Sequence, residues 1–173
     1  MKENFADKNI VILGGLGFIG SNMAIRLIEL GANVTLVDSM LPQYGGNLFN
    51  IESIKDKCRI NFSDIRDEYS LHYSLKDADV IYSMAGQTSH IDSMSNPMND
   101  LDINCRSQLF ILESCRKNNP GVKIIYASTR QLYGKPQYLP VDENHPQIPV
   151  DVNGVNKLAA EKYYTLYSEV YGM

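Results

Sequence analysis

The chain has 173 residues, a length that suits one domain able to bury about two thirds of its unfolded surface and leaves no room for a second. Sixteen basic against twenty acidic residues give a formal charge of −4, which offers no electrostatic footprint for nucleic acid or an anionic membrane. Cys58, Cys105 and Cys115 are odd in number and lack metal-ligand spacing, so free thiols in a reducing compartment are expected, with no metal site.

The N-terminal tract MKENFADKN is charged and has no signal-peptide apolar core, and no apolar run approaches transmembrane length, so a cytoplasmic protein is expected. Val11, Ile12 and Leu13 then form an unalternated apolar run, as in a central parallel strand covered by helices on both faces. Gly14, Gly17 and Gly20 follow it. Gly14 permits a tight turn out of the strand, and Gly17 lets the backbone approach a pyrophosphate seated on the N-terminus of the next helix. Gly20 shares a helical face with Met23, Ala24, Leu27 and Ile28, so its missing side chain brings helix and sheet together. Gly31 ends that helix, and a second strand over 33–37 leads to Asp38, close to the roughly 20-residue spacing at which an acid meets an adenosine ribose. A carboxylate there accepts from both ribose hydroxyls and repels a 2′-phosphate, so NAD is the expected cofactor and NADP is not. The alternative is a glycine-rich turn without a ligand.

Gly14-Gly15-Leu16-Gly17-Phe18-Ile19-Gly20-Ser21 resembles the TGGxGFIGS signature of the extended short-chain dehydrogenase/reductase family, the NAD-dependent nucleotide-sugar epimerases and dehydratases. Leu13 stands where that family usually has Thr. The resemblance runs over about residues 9–173 and implies an α/β fold, a Rossmann-type doubly wound parallel sheet with helices on both faces. It places Phe18 and Ile19 at the helix start, and Ser39 after Asp38, among the cofactor contacts.

Beyond Asp38, the turn formers of SMLPQYGGNLFN predict an irregular, mobile excursion before a short strand over 58–62. Ser63-Asp64-Ile65-Arg66-Asp67 follows; the resemblance puts Asp64 on the adenine amino group and Ile65 against the ring, while residue type alone equally allows Asp64 to cap a helix around 67–73. A strand over 79–84 ends in Ala85-Gly86-Gln87-Thr88-Ser89, small residues across which a cofactor can lie. This segment resembles the family's HLAAQ, with Ser83 for His and Gly86 for Ala, and His90 beside it reads as a loop histidine with no assigned chemistry. Asn96-Pro97 opens a helix predicted to reach about residue 118, apolar on two faces and stopped by Asn119-Pro120-Gly121. Asn104 within it matches an Asn that the family keeps beside the cofactor; a structural role, with its amide bonded in the interior, stays open. A fifth strand over 122–127 precedes Ser128-Thr129-Arg130-Gln131-Leu132-Tyr133-Gly134, which resembles SSxxVYG and gives Thr129 the hydroxyl that bonds the reacting sugar oxygen. Without the resemblance these hydroxyls simply close a strand end. The proline-punctuated acidic stretch to Asp151 reads as a surface loop, with His145 as a solvated histidine.

The last helix begins at Asp151 as N-cap, with Val155, Leu158, Ala159, Leu166 and Val170 as one apolar stripe and Tyr163, Tyr167 and Tyr171 beside it. In the family the two long helices form a dimer bundle, so a homodimer is expected. The family's catalytic YxxxK lies in PYGxSKxxAE; here Lys157 and Glu161 fix the register and Asn153 occupies the tyrosine position. An amide cannot take the sugar hydroxyl's proton, whereas Lys157 can still bond the nicotinamide ribose. Tyr133, Asp151, Lys157 or a water held by Asn153 are the candidates for a replacement acid or base. The resemblance stops where the family enters its sixth strand, so a five-stranded sheet truncated after the following helix is expected, with the C-terminal substrate-binding lobe absent and the chain a fragment or one half of a split protein. The expected function is the NAD-binding domain of a nucleotide-sugar epimerase or dehydratase that oxidises a sugar hydroxyl transiently. The alternative is a non-catalytic NAD-binding regulatory or partner-binding module that has lost its tyrosine.

Overall fold

β1 (Asn9–Leu13) alternates its apolar side chains between two cores: Val11 and Leu13 pack on one face, Ile10 and Ile12 on the other. A strand buried on both sides sits in the middle of a parallel sheet. In the computed structural model, which describes residues 5–173, the sheet order is β3-β2-β1-β4-β5 and every pairing is parallel. The first four residues of the charged N-terminal tract lie outside the described residues. The other strands are β2 (Asn33–Val37), β3 (Arg59–Asn61), β4 (Val80–Ser83) and β5 (Lys123–Tyr126).

α1 (Phe18–Glu29) covers one face through Ala24 and Leu27, which join Ile10, Ile12, Val34 and Leu36. On the other face Leu71 and Leu75 of α2 (Glu68–Leu75) pack with Val11, Leu13 and Ile81 and with Ile111 and Cys115 of a long helix. The chain therefore builds β1, β2 and β3 outward on one side, then crosses to β4 and β5 on the other. This reversal opens a crevice above the C-terminal ends of β1 and β4, where ligands bind in open α/β sheets.

The expected Rossmann architecture holds, and several local expectations are corrected. The helix predicted from Pro97 is not uniform: α3 (His90–Ser95) precedes it, and α4 (Pro97–Leu101) runs through a π-helical turn, Asp102–Arg106, into α5 (Ser107–Asn118). Asn96 is its N-cap, its side chain accepting from Asn99 N at 3.2 Å. Asp67, not Asp64, caps α2. His90 is the first residue of α3, because Ser89 caps that short helix, so it does not lie in a loop. His145 is buried rather than solvated: its Nε2 accepts from Gln137 N at 2.9 Å, and the rings of Tyr133 and Tyr138 pack against it.

α6 (Val152–Tyr171) is capped by Asp151, whose carboxylate accepts from Gly154 N at 2.7 Å. Its apolar stripe faces outward, with Val155, Leu166 and Val170 exposed; the buried face is Asn153, Gly154, Asn156, Lys157, Ala160 and Tyr167. Polar residues win that face because α4, α5 and the segments after β4 and β5 present partners for them. Tyr167 donates to Glu113 at 2.7 Å, and Tyr164 donates to Gln108 at 3.0 Å while stacking on Tyr126. The three cysteines are free thiols, and no helix among the described residues is long and apolar enough to cross a membrane.

Candidate functional site

The crevice is a cleft of about 360 Å³. Gly14 turns the chain out of β1 at a φ of +78°, its N–H donating to Val37 O at 2.8 Å. A Cβ at Gly14 would lie 2.7 Å from the Ala85 backbone, and one at Gly20 would drive into the Gly14 carbonyl. Only glycine permits both approaches. A Cβ at Gly17 would meet nothing of the protein closer than Gly14 O at 3.4 Å, so the open space there belongs to the cleft. α1 begins at Gly17 with no side-chain cap and no acid in its first turn, which leaves its backbone donors and dipole free for an anion. Phe18 and Ile19 line the cleft beside them.

At the end of β2, Asp38 also lines the cleft; it accepts from Leu16 N at 3.0 Å and Met40 N at 2.9 Å, and Ser39 follows it. An ionised carboxylate has about four acceptor positions, so two backbone bonds leave room for a diol. Asp64 and Ile65 line the far wall. Asp64 is neither a helix cap nor free, because Arg66 forks onto it with bonds of 2.9 and 2.6 Å. Burial pushes the Asp64 carboxyl up, but the bonds from the Arg66 side chain and backbone outweigh it and hold the group below the ordinary range. Arg66 also donates to Asn99, which donates to the Tyr44 hydroxyl, so the irregular segment after β2 is tied to the wall. The Ser63 hydroxyl, also in the lining, is buried without a hydrogen-bond partner, the state of a polar group awaiting a ligand. Sequence reasoning missed Ser63 and Tyr44, which carry no spacing signal.

Ala85 and Gly86 floor the cleft at β4. Behind Gly86 lies a buried polar network that holds the remaining predicted residues. Gln87 O accepts from Asn104 Nδ2 at 3.0 Å and from Asn153 Nδ2 at 2.8 Å, and Gln87 N donates to Asn104 Oδ1 at 3.2 Å. The centre is Asp100, with no exposed surface and not singled out from sequence: its carboxylate accepts from Asn104 at 3.0 Å, Asn153 at 3.1 Å and Asn156 at 2.8 Å. Lys157 Nζ donates to Ala127 O at 2.8 Å and sits 5.0 Å over the Tyr126 ring. Burial lowers the Lys157 pKa to about 8, against the pull of Asp100. A Cβ at Gly86 would lie 2.9 Å from Asn104 Oδ1 and 3.2 Å from Lys157 Nζ.

After β5 and outside the lining of the cleft, Thr129 Oγ1 donates to Gln131 Oε1 at 2.8 Å and caps the 3₁₀ turn Arg130–Tyr133. Gln131 Nε2 meets His90 Nε2, and His90 Nδ1 lies 2.6 Å from Asp151 Oδ2. Tyr133 stands apart from this line, its ring edge-on to His145.

The family model for GDP-mannose 4,6 dehydratase matches residues 11–173. A curated relative, the putative UDP-glucose 4-epimerase of Methanocaldococcus jannaschii, is 39% identical over 166 residues, covering 95% of this chain and 52% of the relative. Two solved structures share the fold: UDP-glucose 4-epimerase from Brucella ovis in complex with NAD, with a TM-score of 0.87 at 25% identity, covers 96% of this chain and 49% of its own. UDP-N-acetylglucosamine 4-epimerase from Methanobrevibacter ruminantium M1 in complex with UDP-N-acetylmuramic acid, with a TM-score of 0.89 at 29% identity, covers 97% of this chain and 53% of its own. The chain thus spans about half the length of the relatives it matches. With the glycine turn, uncapped helix and acid all at the crevice and a family match from β1 to the end of α6, the chain belongs to the GDP-mannose 4,6 dehydratase family, among the extended short-chain dehydrogenase/reductases that comprise nucleotide-sugar epimerases and dehydratases.

Proposed function

We propose that this chain is the NAD-binding part of a nucleotide-sugar epimerase or dehydratase that works through transient oxidation of a sugar hydroxyl. The single observation that carries the reading is the cleft itself: a side-chain-free turn, an uncapped helix start and a carboxylate arranged along one wall, with the orphaned Ser63 hydroxyl opposite. Bound there, the nicotinamide supplies a hydride acceptor. The α1 N-terminus and Gly17 would hold the pyrophosphate, Asp38 would take the adenosine ribose hydroxyls, Asp64 and Ile65 would flank the adenine, and Lys157, with Asn104 and Gln87 bracing the floor, would bond the nicotinamide ribose. Thr129 would bond the reacting sugar oxygen. The UDP-sugar relatives support a uridine nucleotide sugar as substrate.

Calorimetric titration with NAD and NADP tests the cradle. Saturable NAD binding with at least tenfold weaker NADP binding is expected; a folded chain that ignores NAD overturns the assignment. A homodimer through α5 and α6 is supported by the outward Val155, Leu166 and Val170.

One observation favours the non-catalytic alternative. Asn153 is only 2% exposed and its amide donates inward to Gln87 and Asp100, so this residue neither takes a proton nor presents a water to substrate. An enzyme built on this chain needs its proton acceptor elsewhere.

A further inference from the structure

We infer that His90, oriented by Asp151, is the group that takes the proton from the sugar hydroxyl in place of the absent tyrosine; this rests on the epimerase or dehydratase reading above. The juxtaposition joins three elements. His90 opens α3, Asp151 caps α6 two residues before Asn153, and Gln131 lies in the turn after β5, two residues from Thr129. Asp151 thus ties His90 to the helix start that carries Asn153 in the tyrosine position. It is also open to a ligand on one side only: the His90 side chain is 47% exposed while the Asp151 side chain is 15% exposed.

Imidazole chemistry gives the two nitrogens different tasks. A carboxylate 2.6 Å from Nδ1 keeps the proton on that atom, which leaves the Nε2 lone pair as acceptor. In the resting chain Nε2 meets the amide nitrogen of Gln131, whose oxygen takes the Thr129 hydroxyl. A sugar hydroxyl replacing that amide would touch Thr129 Oγ1 and His90 Nε2 together. The O–H bond then breaks toward Nε2, its electron pair forms the carbonyl, and the carbon's hydrogen leaves with two electrons to the nicotinamide dinucleotide. The imidazolium that results faces the Asp151 carboxylate, as a base held by an acid requires. The other candidates are less well placed: Lys157 is committed to Ala127 O and buried, and Tyr133 packs on His145. Asp100, on the neighbouring α4, is turned inward to its amides, and Asp92 belongs to His90's own helix.

Two readouts test the inference. In ¹⁵N-histidine spectra of this chain, the neutral His90 ring is expected as the Nδ1–H tautomer, and Asp151→Asn, which keeps an N-cap side chain, is expected to move the population toward Nε2–H. In the protein with its substrate-binding part, His90→Gln is expected to hold NAD within twofold of wild type and to lose about a hundredfold or more in oxidation of a nucleotide sugar; His90→Gly is expected to regain rate with added imidazole. An Nε2–H ring in the wild type, or His90→Gln oxidising at more than a third of the wild-type rate, overturns the role of His90 alone. A wild type that binds NAD but oxidises no nucleotide sugar overturns it together with the enzyme reading, and a wild type that binds no NAD fails earlier, at the cradle.

Discussion

At Asp100 a carboxylate with no exposed surface accepts from three side-chain amides and opposes the buried charge of Lys157. Asp100→Ala takes an acceptor from each amide and leaves the ammonium without that partner, so a loss of about 3–5 kcal/mol is expected in urea unfolding. Lys157 itself makes stability depend on alkaline pH. Its folded pKa is lowered from 10.5 to about 8, so between those values the unfolded chain binds a proton the folded chain has released. Stability from this residue is therefore expected to rise with pH across that window, by about 3 kcal/mol, and the rise is expected to be absent from Lys157→Met, so that it appears in the difference between wild type and variant. Residues of the glycine turn were readable because each has one geometric task at a fixed spacing. Asp100 was not: Asp100 and Asp102 stand two apart in the same acidic stretch, and only the helical phase decides that Asp100 turns inward while Asp102 pairs with Arg106 at the surface. His90 read as a loop histidine without chemistry for a similar reason, since its partner Asp151 is 61 residues away.

Among the elements, α6 leaves its apolar stripe outward and buries its polar side, because α5 offers Glu113 and Gln108 as partners. Bonds from Arg116 and Tyr167 hold the Glu113 carboxyl well below the usual carboxylate range, to about 2. Tyr167→Phe removes one charge-assisted bond between the helices, and a loss of about 1–2 kcal/mol is expected by thermal or urea unfolding, with part of the acid-side stability between pH 4.5 and 2 lost as well. The π-helical turn was outside the reach of a 3.6-residue pattern. Across its start Asp100 and Asn104, four residues apart, bond each other as helical neighbours do, while Ile103 lies in the sheet core. Strands, by contrast, were legible to within a residue or two: the central β1 as an unbroken apolar run buried on both faces, the edge strand β3 by its alternation.

For the molecule as a whole, the outward face of α6 is what the sheet and its helices leave uncovered, with Val155, Leu166, Val170 and Tyr171 all about half exposed or more. If two copies bury that face, sedimentation at micromolar concentration is expected to show a dimer that Leu166→Glu with Val170→Glu converts to monomer; a wild-type monomer counts against the bundle. The sheet order has a different consequence. Because the chain builds β1 to β3 first and then crosses to β4, the cleft residues proposed for the adenosine end are written before Arg66 and the residues proposed for the chemistry are written after Val80. The departures from the family pattern divide along the same seam: Leu13 is the one seen in the first stretch, while Ser83, Gly86 and Asn153 all fall in the second. On the function proposed above, one half of the text can be rewritten while the other is left as it stands, so the choice of cofactor and the choice of reaction would be separately editable.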